Sequence, residues 1–279
     1  MTTLPEFPAA DAECEIDGVK LAWREAGSGP PLVCLHAVGH DARDFSDLAA
    51  RFASRRRVIA LDWPGHGRSS TDPRPTSAAR YADLAGRWLE VLALRHVVLL
   101  GNSIGGAAAL RLALAAPTRI RGLVLCDPGG LDRVDLAARL ATRAMARFFD
   151  AGARGARWFP RAFAAYYRLV LPAPSAAVRR AEIVADATRS APILAAAWRS
   201  FGEPEADQRS LAPQVGCPVL VAWASRDRFI QLRRSRPAIA CFRDARLVTF
   251  DGGHAPFLEA PDAFAGTLGR FLDEVEGTG

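Results

Sequence analysis

Four uninterrupted apolar runs constrain this chain more than anything else in it: LVCLH (32 to 36), RVIALD (57 to 62), HVVLLG (96 to 101) and GLVLCD (122 to 127). A strand with one face in water alternates apolar and polar residues, whereas a strand covered on both faces, as in a parallel sheet, is apolar throughout. Helical stretches separate the runs: FSDLAARFAS, AARYADLAGRWLEVLAL and IGGAAALRLALAA, the last stopped at Pro117. Upstream, AECEID and VKLAWREAG flank Asp17-Gly18, a hairpin by its turn chemistry. After Cys217 the pattern resumes with PVLVAWA, a helix near Arg233 to Cys241, RLVTF (246 to 250) and a closing helix, DAFAGTLGRFLDEV. The implied fold class is α/β, a doubly wound, mostly parallel sheet with helices on both faces.

Residues 131–212 break this rhythm. They hold no convincing strand and read as several helices rich in Ala, Arg and large aromatics, an all-helical cap inserted between two strands. The expected organisation is therefore a core in two parts, 1–130 and 213–279, with the cap between them. Most of the cap's aromatics are expected to form its own core, and the remainder to line an apolar pocket.

A net charge of +6 raises the question of an anionic partner. Of the 36 basic residues only Lys20 is a lysine, and the arginines are spread along the chain. Those of the cap, Arg133, Arg139, Arg143, Arg147, Arg154, Arg157, Arg161 and Arg168 among them, read as a solvated helical face, so neither nucleic acid nor stable membrane association is expected. Five widely spaced cysteines lack the paired spacing of a zinc site. The opening residues carry acids and prolines where a leader needs a basic start and an apolar stretch. A cytoplasmic protein acting on a small molecule is the expectation; nothing specifies an oligomer.

The strongest chemical signal is Gly101-Asn102-Ser103-Ile104-Gly105-Gly106, directly after HVVLLG and before a helix. A serine hydroxyl needs a base to remove its proton and a backbone that holds it clear of its neighbours. A sharp strand-to-helix turn does the second job, demands small flanking residues, and aims the helix N-terminus at the serine. Among five histidines, His96 begins a strand and His66 belongs to a Gly-rich loop. His254 follows RLVTF in DGGHAPF, at the sheet edge where parallel-sheet proteins place their sites. Asp227, in WASRDRF just beyond PVLVAW, shares that edge and is the candidate to orient the base.

Taken together, LVCLHAVG, LDWPGHGRSS, LLGNSIGGAAAL, LVLCDPGG, VLVAWASRDRF and FDGGHAPFLEAPDAF resemble the α/β-hydrolase fold family over essentially the whole chain. The order Ser103, Asp227, His254 is the one that architecture uses. The resemblance implies Ser103 as nucleophile, His254 as base, Asp227 as acid, and the backbone N–H groups of Val38 and Ile104 as oxyanion hole. Asp127, at the end of GLVLCD, is the alternative acid, set against a loop-forming role in Asp-Pro-Gly-Gly. Ala37 and Ala224 stand where the family usually has glycine, and a Cβ at Ala37 could restrict the oxyanion loop. His36, His40, Trp63, Phe148, Trp158 and Phe229 are candidates to line the substrate pocket.

The implied activity is hydrolysis of a small, mostly apolar carboxylic ester through an acyl-enzyme, with no metal and no cofactor. The alternative is carbon–carbon hydrolysis of meta-cleavage-type diketones, since GNSIGGAAAL and RDRFIQL resemble those hydrolases. A non-catalytic ligand-binding protein of the same fold is a third reading, opposed by the complete Ser, Asp and His set.

Overall fold

A computed structural model of the chain describes residues 10–277; the opening MTTLPEFPA, read above for leader character, lies outside them. Asp17 and Gly18 take φ of 53° and 77°, the left-handed pair that a two-residue turn matching strand twist requires. They join β1 (Ala10–Ile16) to β2 (Val19–Ala26), with Ile16 opposite Val19.

The apolar runs form the centre of the sheet. They are β3 (Pro31–Leu35), β4 (Arg57–Leu61), β5 (Val97–Asn102) and β6 (Ile120–Cys126), separated by α1 (Ser46–Phe52), α2 (Ala78–Val91) and α3 (Ile104–Ala115). Ser77 caps α2 by accepting from the Arg80 N–H at 3.1 Å. Beyond β6 come four helices, α4 (Leu136–Ala153), α5 (Phe159–Val170), α6 (Ala177–Ala185) and α7 (Ala187–Ser200). The sheet resumes with β7 (Val219–Ala224), α8 (Leu232–Ile239) and β8 (Ala245–Phe250), and the chain closes with α9 (Pro256–Glu259) and α10 (Pro261–Gly277).

Strand order is β1-β2-β4-β3-β5-β6-β7-β8. The first two strands pair antiparallel, β2 pairs antiparallel with β4, and the rest of the sheet is parallel. From β3 the chain steps to one side, onto β4, and then returns to place β5 on the other. That reversal opens a crevice beyond the C-terminal ends of β3 and β5, where such sheets bind ligands. Aromatics pack the sheet against α2: Trp23 meets Trp88 edge-on at 5.6 Å and Trp63 stacks on Tyr81 at 4.4 Å.

The helical insertion has a core of its own, in which Phe149, Phe159 and Phe163 are fully buried. Its arginines at 133, 139, 143, 147, 154, 157, 161 and 168 stand exposed on the outside. Among the described residues no helix is long and apolar enough to cross a membrane.

Candidate active site

Ser103 sits at the junction of β5 and α3 with φ 56° and ψ −118°. A non-glycine residue there stores roughly 1–3 kcal/mol of strain, and the surroundings fix it in place. The Ser103 N–H donates to the Cys126 carbonyl at 3.0 Å, and its carbonyl accepts from Ala107 and Gly129. Both flanking glycines are required by close approach. A Cβ on Gly101 would lie 2.4 Å from the Gly105 carbonyl oxygen, and one on Gly105 would lie 2.2 Å from that of Leu35.

The loop after β3 supplies the facing wall, and two histidines hold it. The His36 Nε2 accepts from the Trp63 N–H at 3.0 Å, and its Nδ1–H donates to the Ala37 carbonyl. The His66 Nε2 accepts from the Gly39 N–H at 2.9 Å, and its Nδ1–H donates to the Pro64 carbonyl. Each ring is therefore a fixed neutral tautomer. Burial, with the neighbouring His66, lowers the His36 pKa to about 3; burial lowers that of His66 to about 4. Ala37 is not among the residues with positive φ; the left-handed conformation in this loop falls on Gly39, at φ 80°. The Ala37 side chain therefore imposes no backbone strain. Val38 and Ile104 line the same cavity as Ser103, and their main-chain N–H groups form no hydrogen bond among the described residues.

His254 Nδ1 lies 2.7 Å from Asp227 Oδ2, with both side chains nearly or fully buried. The other Asp227 oxygen accepts from the Phe229 and Ile230 N–H groups at 2.7 and 3.0 Å. Burial disfavours a charged His254, but the Asp227 carboxylate outweighs it and raises the imidazole pKa above its ordinary value. Glu259 Oε2 holds the histidine loop by accepting from the N–H groups of Gly253, His254 and Ala255. Asn102 ties that loop to the serine turn, donating from Nδ2 to the carbonyls of His254 and Cys126.

Asp127 lies fully buried beneath this pair and makes no hydrogen bond with His254 among the described residues. Its carboxyl accepts from the Ala224 N–H at 3.0 and 3.1 Å. Burial and the adjacent Asp227 charge push its pKa well up, favouring the protonated form that can donate to Asp227. Ligand atoms of Asp127, Asp227 and His254 lie within 4.8 Å of one another. Asp227 Oδ2 and His254 Nδ1 are already spent on each other, so the cluster is a carboxyl pair beneath an imidazole, not a ready metal cradle.

A cavity of about 700 Å³ joins these groups to the insertion. Ser103, Ile104, Val38, His254, His40 and Phe229 all line it. Four other pocket candidates are placed away from it. His36 and Trp63 are bound to each other behind the loop that follows β3. Phe148 packs against Phe149, Trp158 and Phe159 within the insertion, and Trp158 is 53% exposed. The insertion instead contributes Tyr166, Tyr167, Leu194, Trp198 and Phe201. Sequence reasoning did not reach Asn102, an unspecified position of the serine turn, or Glu259. A lone acid in the apolar run HAPFLEA is the signal that marked Glu259.

Comparison with known proteins agrees with this fold. An uncharacterised protein of Mycobacterium bovis is 29% identical over 288 residues, covering 94% of this chain and 80% of its own. The crystal structure of a hydrolase from Pseudomonas aeruginosa superposes with a TM-score of 0.78 at 27% identity, covering 94% of this chain and 98% of that one. A thermophilic esterase from Thermogutta terrifontis gives a TM-score of 0.80 at 23% identity, covering 96% and 99%. The profile of the alpha/beta hydrolase family matches residues 32–267, which run from Leu32 in β3 past the end of β8 and include every candidate site residue, and the chain belongs to that family.

Proposed function

We infer that the chain is a serine hydrolase that cleaves a small, mostly apolar carboxylic ester through an acyl-enzyme. The observation that carries this reading is a His254–Asp227 pair at 2.7 Å and a positive-φ Ser103 opening onto one cavity. In the proposed reaction the Ser103 hydroxyl attacks the ester carbonyl while His254 Nε2 takes its proton. Asp227 holds Nδ1–H and stabilises the imidazolium. The N–H groups of Val38 and Ile104 donate to the developing oxyanion, and the alcohol leaves with the proton from His254. Water, deprotonated by the same histidine, then releases the acid. Asp127 is assigned a supporting part, as a neutral carboxyl that fixes Asp227.

The apolar character of the substrate follows from the walls. Val38, Ile104, Val170, Leu194, Phe229 and Ile230 make much of the cavity apolar. The test offers short-chain 4-nitrophenyl esters and a fluorophosphonate probe to the native protein and to Ser103→Ala. Turnover and labelling are expected in the first and absent in the second. Labelling that survives the substitution overturns the assignment, and a dienone cleaved faster than any ester moves the reaction to carbon–carbon hydrolysis.

A further inference from the structure

The net charge of +6 is not spread along the chain as its arginines are. Residues 136–171, which hold α4 and α5, carry seven arginines and one acid, Asp150, so this stretch alone accounts for the whole excess. Elsewhere in the insertion guanidiniums are matched. Arg179, buried on α6, lies 2.6 Å from Asp44 and 3.0 Å from Asp41, and Arg199 pairs with Asp150 at 2.5 Å. The seven arginines of 136–171 are exposed, and none of them forms an ion pair among the described residues.

Arginines alone make a solvated face. Here they are interleaved with large apolar side chains that the fold leaves in water: Leu136 is 72% exposed, Leu140 57% and Trp158 53%. Leu136, Leu140, Arg143 and Arg147 follow at intervals of four, three and four residues, which sets them along one side of α4. That side is turned from the buried Thr142, Ala146 and Phe149. Arg154, Arg157 and Arg161 surround Trp158 in sequence where α4 gives way to α5. Beside the stripe, Arg139, Arg143, Arg147 and Arg199 line a groove of about 510 Å³, with Asp150 and Glu203 as its acids.

A second copy of the chain would bring the same unmatched charge to this face. Nucleic acid would match the charge but leave the leucines and the tryptophan in water. An anionic bilayer satisfies both, with phosphates at the guanidiniums and the apolar side chains in the boundary between headgroups and acyl chains. We propose that the outer face of α4, with the corner at Trp158, docks reversibly on a membrane surface rich in anionic lipid. Thr142, Arg199 and Glu203 belong both to the groove and to the cavity that Ser103 lines, so the docked face adjoins that cavity. The docking does not depend on the reading of Ser103.

The test is flotation of the chain with vesicles of equal parts phosphatidylcholine and phosphatidylglycerol, against vesicles of phosphatidylcholine alone. Partition to the anionic vesicles is expected to be at least tenfold stronger and to fall steeply as salt is added. Arg143→Gln with Arg147→Gln is expected to weaken it at least fivefold, and Leu136→Ser with Leu140→Ser by a similar factor. Arg95→Gln with Arg243→Gln makes the same charge change at exposed sites just before β5 and β8, on the opposite edge of the sheet, and is expected to leave partition nearly unchanged. All these positions are exposed, so the fold is not at stake. Equal partition to the two vesicles, indifference to either pair on α4, or an equal loss with the Arg95 and Arg243 pair overturns the proposal. Tighter binding to a DNA duplex than to the anionic vesicles at the same salt overturns it as well.

Discussion

Asn102 donates its side-chain amide to the His254 carbonyl at 2.9 Å, across 152 residues of sequence. The same nitrogen donates to Cys126 at 3.0 Å, so the residue before Ser103 fastens the ends of β5 and β6 to the histidine loop. Asn102→Ala strands two buried carbonyls, at about 1–3 kcal/mol each. A roughly 10–100-fold loss of kcat with little change in KM is the expected outcome, read by steady-state kinetics on a 4-nitrophenyl ester.

Asp227 and Asp127 are separated by their isosteric amides. Asp227→Asn removes the charge that orients His254 and is expected to lower kcat by roughly three to four orders of magnitude. Asp127→Asn replaces a carboxyl whose protonated form is already favoured and is expected to cost about tenfold or less. The reverse ranking makes Asp127 the orienting acid.

In the proposed reaction His254 must be neutral to accept the serine proton, and its pKa is raised above the ordinary 6.5 by Asp227. The acid limb of kcat/KM is therefore expected to rise with a midpoint above 6.5. A midpoint at or below 6.5 contradicts the pairing.

His36 and His66 act on stability in the opposite sense. Their folded pKa values, about 3 and about 4, lie below the unfolded value of 6.5. Their contribution is complete above 6.5 and is lost as pH falls toward 4 and 3, because the unfolded chain takes up protons that the native chain refuses. Each ring accounts for up to about 1.4 kcal/mol per pH unit in that window. Urea melts are expected to show a steep loss between pH 6.5 and 4. His66→Gln, which keeps an acceptor for the Gly39 N–H, is expected to flatten it.

Glu259→Gln leaves three converging N–H groups without a carboxylate. Charge-assisted bonds of this kind are worth about 1.5–3 kcal/mol, and a melting temperature lower by about 5 °C is expected. A kcat loss exceeding any KM change would mark the displaced histidine loop.

Much of this was legible in the chain. The apolar runs fixed a parallel sheet because burial on both faces leaves no room for alternation, and Gly101 and Gly105 marked Ser103 because only glycine tolerates the contacts there. The pocket was not legible: Phe148 and Phe149 are adjacent aromatics in one helix, yet both pack among other insertion aromatics, while Tyr166 and Tyr167 reach the cavity. Which side of an amphipathic helix faces a cavity rather than its own core depends on tertiary placement. Arg179 was hidden for a related reason, since thirty-odd arginines of one composition give no sign of which one is buried.

The insertion leaves the sheet at Cys126 and rejoins it at Val219. The entropy of closing a loop grows only with the logarithm of its length, about 0.6 kcal/mol per doubling, so β6 and β7 can pair across insertions of very different size at nearly constant cost. What limits exchange is the Arg179 contact with Asp41 and Asp44. A transplanted or shortened insertion that brings no guanidinium to that point leaves the buried Asp44 with His40 alone and Asp41 with Arg43 alone, and the hydrolase core would tolerate a new roof best where that single charge is restored.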